Sequence, residues 1–506
     1  MRKKHFTRIL AVLLMLALAF SITACAKQPE VPVKPDKPLR RAWVGGFTTI
    51  DPHYVAADTD FALSAMLYES FYEIDTGQED PRLAESFEVS PDGLTYTYHL
   101  KKGVKFQTGE DFTSADVLYS IGRAQESPYM MGYLASVADV QAPDDYTVVF
   151  TLHGLSPSFH IEVNRVRFLS EAAIKDLDTG FSSGIPGGTG PYSLESIIMD
   201  QKVVLKRSET YHGSPAPIGT IEINVLSDTN AAIRAFEAGE SDFLIADGDN
   251  WERLKATGNY KTYIEDTISV RFFALNNEKP PLDNPLVRQA INYAVDKDDM
   301  IIGSAGGYGV PAGYIANPNM NVAAPRYEEI FTYSYDPQKA RDLLAEAGYA
   351  NGLTITDPII TGATDEFAIP AQILKEQLAA VGIQIEISVV EMTTLVMDMI
   401  LGNYAIGMMG IGLEPDASLL APAYITDGIE YLNLSRYSNA RVDELFALGG
   451  STLDLEARKG YYKEAFDIAS REAAYLPLYV LQATVISTPG LQSTSYRSMY
   501  YWYWED

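Results

Sequence analysis

Histidine and cysteine, the side chains that most often supply nucleophiles and transition-metal ligands, are scarce in this chain. One cysteine, Cys25, and six histidines occur among 506 residues. A single thiol cannot build a disulfide framework, a cysteine-ligated zinc site or an iron–sulfur cluster within one chain. No histidine follows His212, so imidazoles from both halves of a two-lobed protein cannot converge on a bare metal ion. The sequence therefore predicts no metal site and no cofactor.

Two glycine-rich segments have some of the features of nucleotide-binding loops. Gly184–Gly190 reads GIPGGTG, but Pro191 and Tyr192 stand where a phosphate-binding loop needs its lysine and its hydroxyl residue. Gly303–Gly313 lacks the spacing of a dinucleotide-binding loop and is interrupted by Pro311. We interpret the first segment as a flexible turn between lobes and the second as a loop.

Acidic residues dominate the charge of the chain. Against 39 lysines and arginines stand 67 aspartates and glutamates, for a net charge of −28 at pH 7. Such a chain is repelled by nucleic acid, which we therefore exclude as a partner. Glu414 and Asp416 are close enough in sequence to act as a general acid and base, but close acidic pairs arise often by chance in this composition. We expect no enzymatic activity.

The first 38 residues have the pattern of an export signal, an anchor and a spacer. Residues 1–24 begin with a basic stretch, continue with the apolar run Ile9–Phe20 and end in small residues, which is typical of a signal peptide and shorter than a membrane span. The segment ending in Cys25, ITAC, resembles the bacterial lipoprotein box and implies that Cys25 carries a diacylglycerol. Residues 25–38 hold four prolines, which predicts a flexible, extended linker.

Helical and strand-like patterns alternate along most of the remaining chain. Asp228, Asn284 and Asp336 each precede an apolar face with helical spacing, and each can cap the helix that follows. Strand-like runs flank the first of these helices, which predicts a βαβ unit with parallel strands. Ile383–Ile387 alternates as a strand. By contrast, two hairpin patterns between residues 87 and 152 predict an antiparallel block inserted into the first α/β lobe.

Several long stretches resemble one known family, in the family's order along the chain. That family is the family 5 solute-binding proteins of ABC importers, which includes oligopeptide, dipeptide and nickel-chelate binders. The resemblance rests on Ile50–His53 (IDPH), Pro81–Ala124, Gly188–Tyr192 (GTGPY), Leu275–Met300, Tyr335–Tyr349, Tyr437–Gly450 and Leu476–Tyr479 (LPLY).

This resemblance implies an α/β, type II periplasmic-binding-protein fold. Two α/β lobes close on a ligand about a hinge, expected near residues 270–276 and 479–484, and an extra β-rich subdomain packs on lobe I. The implied division of the chain is a lipoprotein signal peptide (1–24), a linker (25–38), lobe I (39–76), the inserted subdomain (77–185), lobe I again (186–275), lobe II (276–479) and a return segment of lobe I (480–506).

One departure from the family concerns the ligand's ammonium group. Peptide-binding relatives commonly carry an acidic residue in a D-x-x-D-P-like stretch of lobe II, where it pairs with the peptide's α-ammonium; in the corresponding segment here, IGLEPD, Ile411 takes that place. Either Glu414 or Asp416 substitutes for the missing acid, or the ligand is not a peptide with a free amino terminus. Met408, Met409 and Ile411 would make this wall apolar and adaptable, although core packing explains them equally well.

Three further residues are candidates for ligand contact. Arg271, on the inferred hinge strand, is placed to pair with a ligand carboxylate, and a salt bridge to one of the many acids is the alternative. Tyr308 and Tyr314 lie on the glycine-rich loop after the helix that begins at Asn284, a position that favours the cleft.

The sequence thus predicts a substrate-binding lipoprotein of an ABC transporter, which captures a peptide or peptide-like solute in an interlobe cleft and delivers it to the permease. The expected partners are the ligand, the permease subunits and the membrane, through the lipid on Cys25. We expect a monomer outside the cytoplasm, on the periplasmic or cell-surface side. Three alternatives stay open: a binder of a nickel or other metal chelate or another non-peptide solute, a peptide sensor without transport, and a secreted cell-envelope hydrolase that uses Glu414 and Asp416.

Overall fold

The structure is a computed structural model that describes residues 37–55, 58–75, 78–174, 187–320, 322–412, 416–493 and 502–505. The predicted signal peptide, the predicted lipidation site Cys25 and the candidate ligand-binding residue Glu414 lie outside these residues. Among the helices within them, none has both the length and the apolar character that a bilayer crossing requires.

The strands follow one another along the chain as β1 (Leu39–Val44), β2 (Tyr72–Asp75), β3 (Gln78–Pro81), β4 (Ala84–Val89), β5 (Thr95–Leu100), β6 (Val137–Asp144), β7 (Thr147–Leu152), β8 (Tyr192–Ile198), β9 (Lys202–Arg207), β10 (Thr220–Leu226), β11 (Phe243–Ala246), β12 (Lys261–Leu275), β13 (Gly309–Pro311), β14 (Leu353–Thr354), β15 (Ile359–Thr361), β16 (Ile383–Gln384), β17 (Ile387–Val389), β18 (Ile406–Gly412), β19 (Tyr475–Ser487), β20 (Leu491–Ser493) and β21 (Trp502–Trp504).

The α-helices are α1 (Asp58–Leu67), α2 (Ser114–Glu126), α3 (Phe159–Val163), α4 (Glu171–Ile174), α5 (Thr229–Glu237), α6 (Gly248–Lys255), α7 (Pro285–Ala294), α8 (Lys297–Ala305), α9 (Pro337–Glu346), α10 (Asp365–Ala380), α11 (Met392–Leu401), α12 (Ala421–Tyr424), α13 (Ala440–Gly450) and α14 (Leu455–Arg471). Short 3-10 helices lie at Met131–Leu134, Pro318–Met320, Tyr327–Glu329, Ala417–Leu420 and Thr426–Gly428.

One 11-stranded sheet runs through the protein in the order β17-β15-β18-β12-β19-β11-β1-β10-β9-β8, with β13 added to β19. The two long strands β12 and β19 lie in its middle and pair antiparallel. We call the side with β1 and β8–β11, together with its helices, lobe I, and the side with β15, β17 and β18 lobe II. The mixed α/β architecture predicted from the alternating patterns is confirmed.

In lobe I, β1 lies between β10 and β11 and is parallel to both. The predicted βαβ unit is confirmed, since α5 connects the parallel strands β10 and β11. Local sequence patterns do not predict that β1 lies between these two strands. Asp228 caps α5 as predicted, and its carboxylate accepts a hydrogen bond from the backbone N–H of Ala231 at 2.8 Å. At the end of the chain Trp502 stacks on Phe243 of β11, with ring centroids 4.4 Å apart, which ties the strand pair β20–β21 to this lobe.

The antiparallel block forms a four-stranded sheet of its own, in the order β4-β5-β7-β6. Both predicted hairpins are confirmed, and a capping box of Thr113 and Asp116 opens α2. An aromatic core fills this block; Phe71 stacks on Tyr98 with ring centroids 4.2 Å apart. Because this core is separate from that of lobe I, the block is a packing unit in its own right.

In lobe II the helix starts follow the local signals, and one strand does not. Asn284 caps α7 and Asp336 caps α9, each accepting a backbone N–H of the helix, as predicted. The single strand expected at Ile383–Ile387 is wrong, since this segment divides between β16, which pairs with β14, and β17, which pairs with β15. Two separate partner strands override the local alternation.

The central strands pass from one lobe to the other without a break. The predicted boundary between residues 479 and 480 falls inside β19, and β12 pairs with β19 along most of its length. The register of this pairing shifts between Asp266 and Val270 and again between Arg271 and Phe272. Such irregularities bend a strand and increase its twist. The first register shift, between Asp266 and Val270, begins before the hinge segment expected at residues 270–276.

Close packing explains the glycines of the first glycine-rich segment. A Cβ at Gly188 would lie 2.1 Å from the carbonyl oxygen of Leu67, and one at Gly190 would lie 2.6 Å from the Leu67 carbonyl carbon. The interpretation as a flexible turn is therefore wrong for residues 187–190. Gly303–Gly313 is not a single loop either, because it holds the end of α8 and the strand β13.

Candidate ligand-binding cleft

Parallel strands of both lobes end at the middle of the sheet. In lobe I, β1, β10 and β11 are parallel, and in lobe II, β15, β17 and β18 are parallel. The carboxyl ends of the two sets point toward each other. Ala246 at the end of β11 lies opposite Thr484 of β19, and Gly412 at the end of β18 lies opposite Ser269 of β12. Ligands of α/β sheets bind at the carboxyl ends of such strands. We call the region between these six ends, with the crossing segments 266–271 and 480–484, the cleft.

Acidic side chains that follow these strands are held by the helices they precede. Asp228 caps α5 after β10, Asp247 caps α6 after β11, and Glu391 caps α11 after β17. Hydrogen bonds from the backbone N–H of Ala231 and from the Ser227 hydroxyl lower the pKa of Asp228 below its usual value. These carboxylates stabilise the starts of the three helices.

Arg271 brings a buried cation to the lobe II side of the cleft. Its side chain is 9% exposed, and its Nη2 forms an ion pair with the carboxylate of Glu366 in the first turn of α10. Its Nη1 donates to the hydroxyl of Ser269 at 2.6 Å. Opposite it on β18, Gly410 leaves the space that the guanidinium occupies, because a Cβ there would lie 2.2 Å from Nη1. Burial lowers the pKa of Arg271, but a guanidinium stays charged at neutral pH.

The three apolar candidates on β18 differ in exposure. Met408 is fully buried in the lobe II cluster that contains Phe273, and Met409 is buried in a second cluster on the other face of the strand. Ile411 is half-buried and packs at the edge of that second cluster. Core packing therefore accounts for both methionines, and Ile411, at the end of the strand, is the one of the three that keeps more exposed surface.

Asp416 is occupied by the protein itself. Its carboxylate pairs with Nη2 of Arg458 at 2.5 Å, and the two side chains are 1% and 5% exposed. The same carboxylate accepts hydrogen bonds from the backbone N–H and the hydroxyl of Ser418. Asp416 thereby caps the 3-10 helix Ala417–Leu420. Asp416 is thus shielded from a ligand in this structure, and the neighbouring candidate, Glu414, lies outside the described residues.

Tyr308 bridges the two lobes beside the central strands. Its hydroxyl donates to the carboxylate of Glu252 on α6, and its ring lies 4.9 Å from that of Trp251. Burial and the bond to Glu252 raise the pKa of Tyr308 to about 12. The backbones meet at the same place, since a Cβ at Gly248 would lie 2.7 Å from the Cα of Gly306. This is an interlobe contact made by the protein's own groups.

Tyr314 does not occupy the position that its loop suggested. Its side chain is 2% exposed, its hydroxyl donates to the carbonyl of Pro325 at 2.6 Å, and its ring stacks on Phe466 with centroids 4.5 Å apart. Aromatic packing in the core of lobe II buries almost the whole ring.

The groups that complete the environment of Arg271 were not predicted from the sequence. Glu366 and Ser269 contact its guanidinium, and Gly410 gives it room. The acidic pair after Thr364 is a recognisable helix start, but no local signal links that start to a strand far earlier in the chain. Within the described ranges, no three histidine, cysteine or acidic side chains are grouped so that they could hold a metal ion.

The match to a family model assigns the chain. The family described as bacterial extracellular solute-binding proteins, family 5 (middle region), matches residues 79–427, and the chain belongs to it. Among curated relatives, heme-binding protein A of Haemophilus influenzae is 29% identical over 82% of this chain and 82% of its own. Glutathione-binding protein GsiB of Escherichia coli is 28% identical over 95% of this chain and 94% of its own.

Solved structures share the whole fold. The substrate-binding protein CtaP of Listeria monocytogenes has a TM-score of 0.84 at 22% identity and covers 94% of this chain and 100% of its own. DppA of Helicobacter pylori in complex with the peptide STSA has a TM-score of 0.77 at 25% identity over 93% and 98%. NikA of Brucella suis in complex with Fe(III)-EDTA has a TM-score of 0.81 at 25% identity over 91% and 97%. The predicted type II periplasmic-binding-protein fold is confirmed.

Proposed function

We propose that this solute-binding protein captures a peptide or peptide-like solute in the cleft and delivers it to the permease subunits of an ABC importer. The observation that carries the proposal is the convergence of six strand ends from two lobes on one cleft, beside the buried cation Arg271. The names of two relatives support the ligand class, since glutathione is a tripeptide and STSA a tetrapeptide.

The ligand's carboxylate is the group for which the described cleft offers a partner. Arg271 presents a planar set of donors that matches a carboxylate, whereas Asp416 is held by Arg458 and is not free to pair with an ammonium. The ammonium of a peptide is left to Glu414 or to solvent. The proposed ligand is therefore anchored first at its carboxyl end, next to the half-buried Ile411.

Binding to the purified full chain tests this proposal. Thermal shifts with dipeptides, tetrapeptides, glutathione, blocked peptides, nickel–histidine and heme would rank the ligand classes, because a ligand at a hundred times its Kd adds about 2.7 kcal/mol of stability. We expect peptides with a free carboxylate to give the largest shift. No shift with any peptide, together with a shift for a chelate or heme, would overturn the peptide class.

A metal chelate is the second candidate. The carboxylates of a chelate would pair with Arg271 as readily as a peptide terminus would, and NikA of Brucella suis was solved with Fe(III)-EDTA. The nickel–histidine arm of the same screen decides between them.

The proposal includes removal of residues 1–24 and a lipid on Cys25 that holds the mature monomer at the outer face of the bacterial membrane. If Cys25→Ser protein remained in the membrane fraction after export, the anchor would be refuted. The proposed lobe boundaries are those of the sequence analysis. Hydrolysis is not proposed, because Asp416 of the acidic pair is paired and capping; turnover of a peptide or glycan would contradict this.

A further inference from the structure

The ion pair between Arg271 and Glu366 is unequal in its burial. The side chain of Arg271 is 9% exposed and that of Glu366 is 49% exposed. Within the part of the chain that the structure describes, Nε of Arg271 is buried without a hydrogen-bond partner. The guanidinium is therefore fixed in the wall of the cleft with unused donor capacity, and the carboxylate that covers it reaches in from the solvent side.

The polar contact of Arg271 other than Glu366 lies on its own strand, the space it fills lies on the strand beside it, and the uncharged ring of Phe367 on α10 lies 5.8 Å from its guanidinium carbon. Ser269 is two residues away on β12, and Gly410 lies directly opposite on β18. These contacts orient the guanidinium without neutralising it. Among the described residues its charge is met by the carboxylate of Glu366 at the start of α10, and because that carboxylate is half in water, solvent screens its attraction to the buried guanidinium.

We propose that Glu366 is an internal stand-in for the ligand's carboxylate. In the unliganded protein the Glu366 carboxylate occupies Nη2 of Arg271, and a ligand carboxylate displaces it into solvent. One anion replaces another, so the buried cation is never left unpaired. A ligand without a carboxylate cannot make this exchange. The inference rests on the proposed function. It adds that the protein's preference for ligands with a carboxylate arises because the ligand and Glu366 compete for Arg271.

Affinity measurements on the full chain test the exchange. The probes are the STSA tetrapeptide and glutathione as free acids, the carboxyl-terminal amide of STSA, and glutathione amidated at both of its carboxyl groups, so that neither amide carries a carboxylate. Glu366→Gln removes the competing charge and keeps the shape of the side chain, so we expect it to tighten binding of the free acids about two- to five-fold. Binding of the amides should not change. Glu376→Gln, an exposed position on the same helix, is the control and should leave both classes unchanged.

A second pair of variants tests whether Arg271 binds the ligand carboxylate or only stabilises the fold. Arg271→Gln should abolish the preference for acid over amide, a loss of about ten-fold or more for a charged hydrogen bond. Arg271→Lys keeps the charge but not the forked geometry and should retain part of the preference. Thermal unfolding of each variant verifies that it folds.

The outcomes separate the two proposals. Unchanged or weaker binding of the free acids by Glu366→Gln would overturn the exchange while leaving peptide capture intact. Equal tightening of acids and amides would overturn it as well, since the effect would not be competition between carboxylates. Failure of the wild-type protein to bind either peptide in any form would refute peptide capture, and the exchange with it.

Discussion

Two arginine–carboxylate pairs, one within lobe II and one on the lobe II side of the cleft, differ in what surrounds them. Asp416 and Arg458 are both almost fully buried, and Asp416 also accepts two hydrogen bonds from Ser418. Arg271 is almost as buried, but its partner Glu366 is half exposed. The first pair is sealed within the protein, whereas the second can open without burying an unpaired carboxylate. Exposure of the acid, more than the presence of an arginine, separates a structural pair from one available to a ligand.

The comparison also bears on the missing ammonium site. Of the two acids that the sequence offered, Asp416 has its charge neutralised by Arg458 and its oxygen used as a cap. To release it for a ligand would strand a buried guanidinium, which is costly. The two pairs thus favour recognition of an anionic rather than a cationic ligand group.

The largest effect is expected from breaking the sealed pair. Asp416→Ala leaves Arg458 buried without its counter-charge and should lower the free energy of unfolding by about 3–5 kcal/mol. Urea denaturation measures this, with the exposed Asp427→Ala as a control that should stay within about 0.5 kcal/mol of wild type. A cost for Asp416→Ala no larger than that of the control would mean that the pair is not the structural one.

A third buried arginine pair extends the comparison to pH. Arg123 pairs with the fully buried Asp51, and its Nη1 donates to Nδ1 of His53 at 3.0 Å. Burial lowers the pKa of His53 to about 4. Because the unfolded chain takes up this proton first, near pH 6.5, the stability contributed by neutral His53 is complete above that pH and is lost as the pH falls toward 4.

Removing this titration should flatten the pH dependence. His53→Gln should weaken the loss of stability between pH 6.5 and 4, by at most about 1.4 kcal/mol per pH unit. Unfolding at pH 7, 6, 5 and 4 measures the difference from wild type, with the exposed His153→Gln as the control. Parallel curves for wild type and His53→Gln would show that His53 does not titrate in this window.

A smaller effect on stability is expected at Gly410. Gly410→Ala places a Cβ where Nη1 of Arg271 lies, and the flexible side chain, rather than the backbone, should move. We expect a stability loss of about 1 kcal/mol and a loss of preference for free carboxylates over amides. A stability loss with the preference unchanged would mean that the guanidinium can move and still bind.

The smallest effect is expected from breaking the open pair. Glu366→Gln should change the free energy of unfolding by less than about 1 kcal/mol, because its carboxylate is half in water and the amide oxygen that replaces it can still accept a hydrogen bond from the buried guanidinium of Arg271. The same urea experiment measures it. A cost comparable to that of Asp416→Ala would erase the distinction between the two pairs.

Prediction from sequence succeeded where the cause is local. The starts of the helices at Asp228, Asn284 and Asp336 were predictable because each cap bonds backbone groups only two or three residues ahead. The strand at Ile383–Ile387 was not, since it divides between two distant partners. At the site, Arg271 was named as a candidate, but Glu366 was not, and Tyr314 proved to be a core residue.

The sequence alone determined the class of protein, the alternation of helices and strands, and the acidic charge, because motifs, periodicity and composition are properties of neighbouring or summed residues. Only the tertiary structure decided which acidic side chains are sealed in a buried ion pair and which are half exposed beside the cleft. Burial and distance set the strength of a charge pair, and both arise when strands and helices far apart in sequence meet. Arg458 closes off Asp416 and Glu366 covers Arg271 for that reason, and the difference between them defines the candidate site.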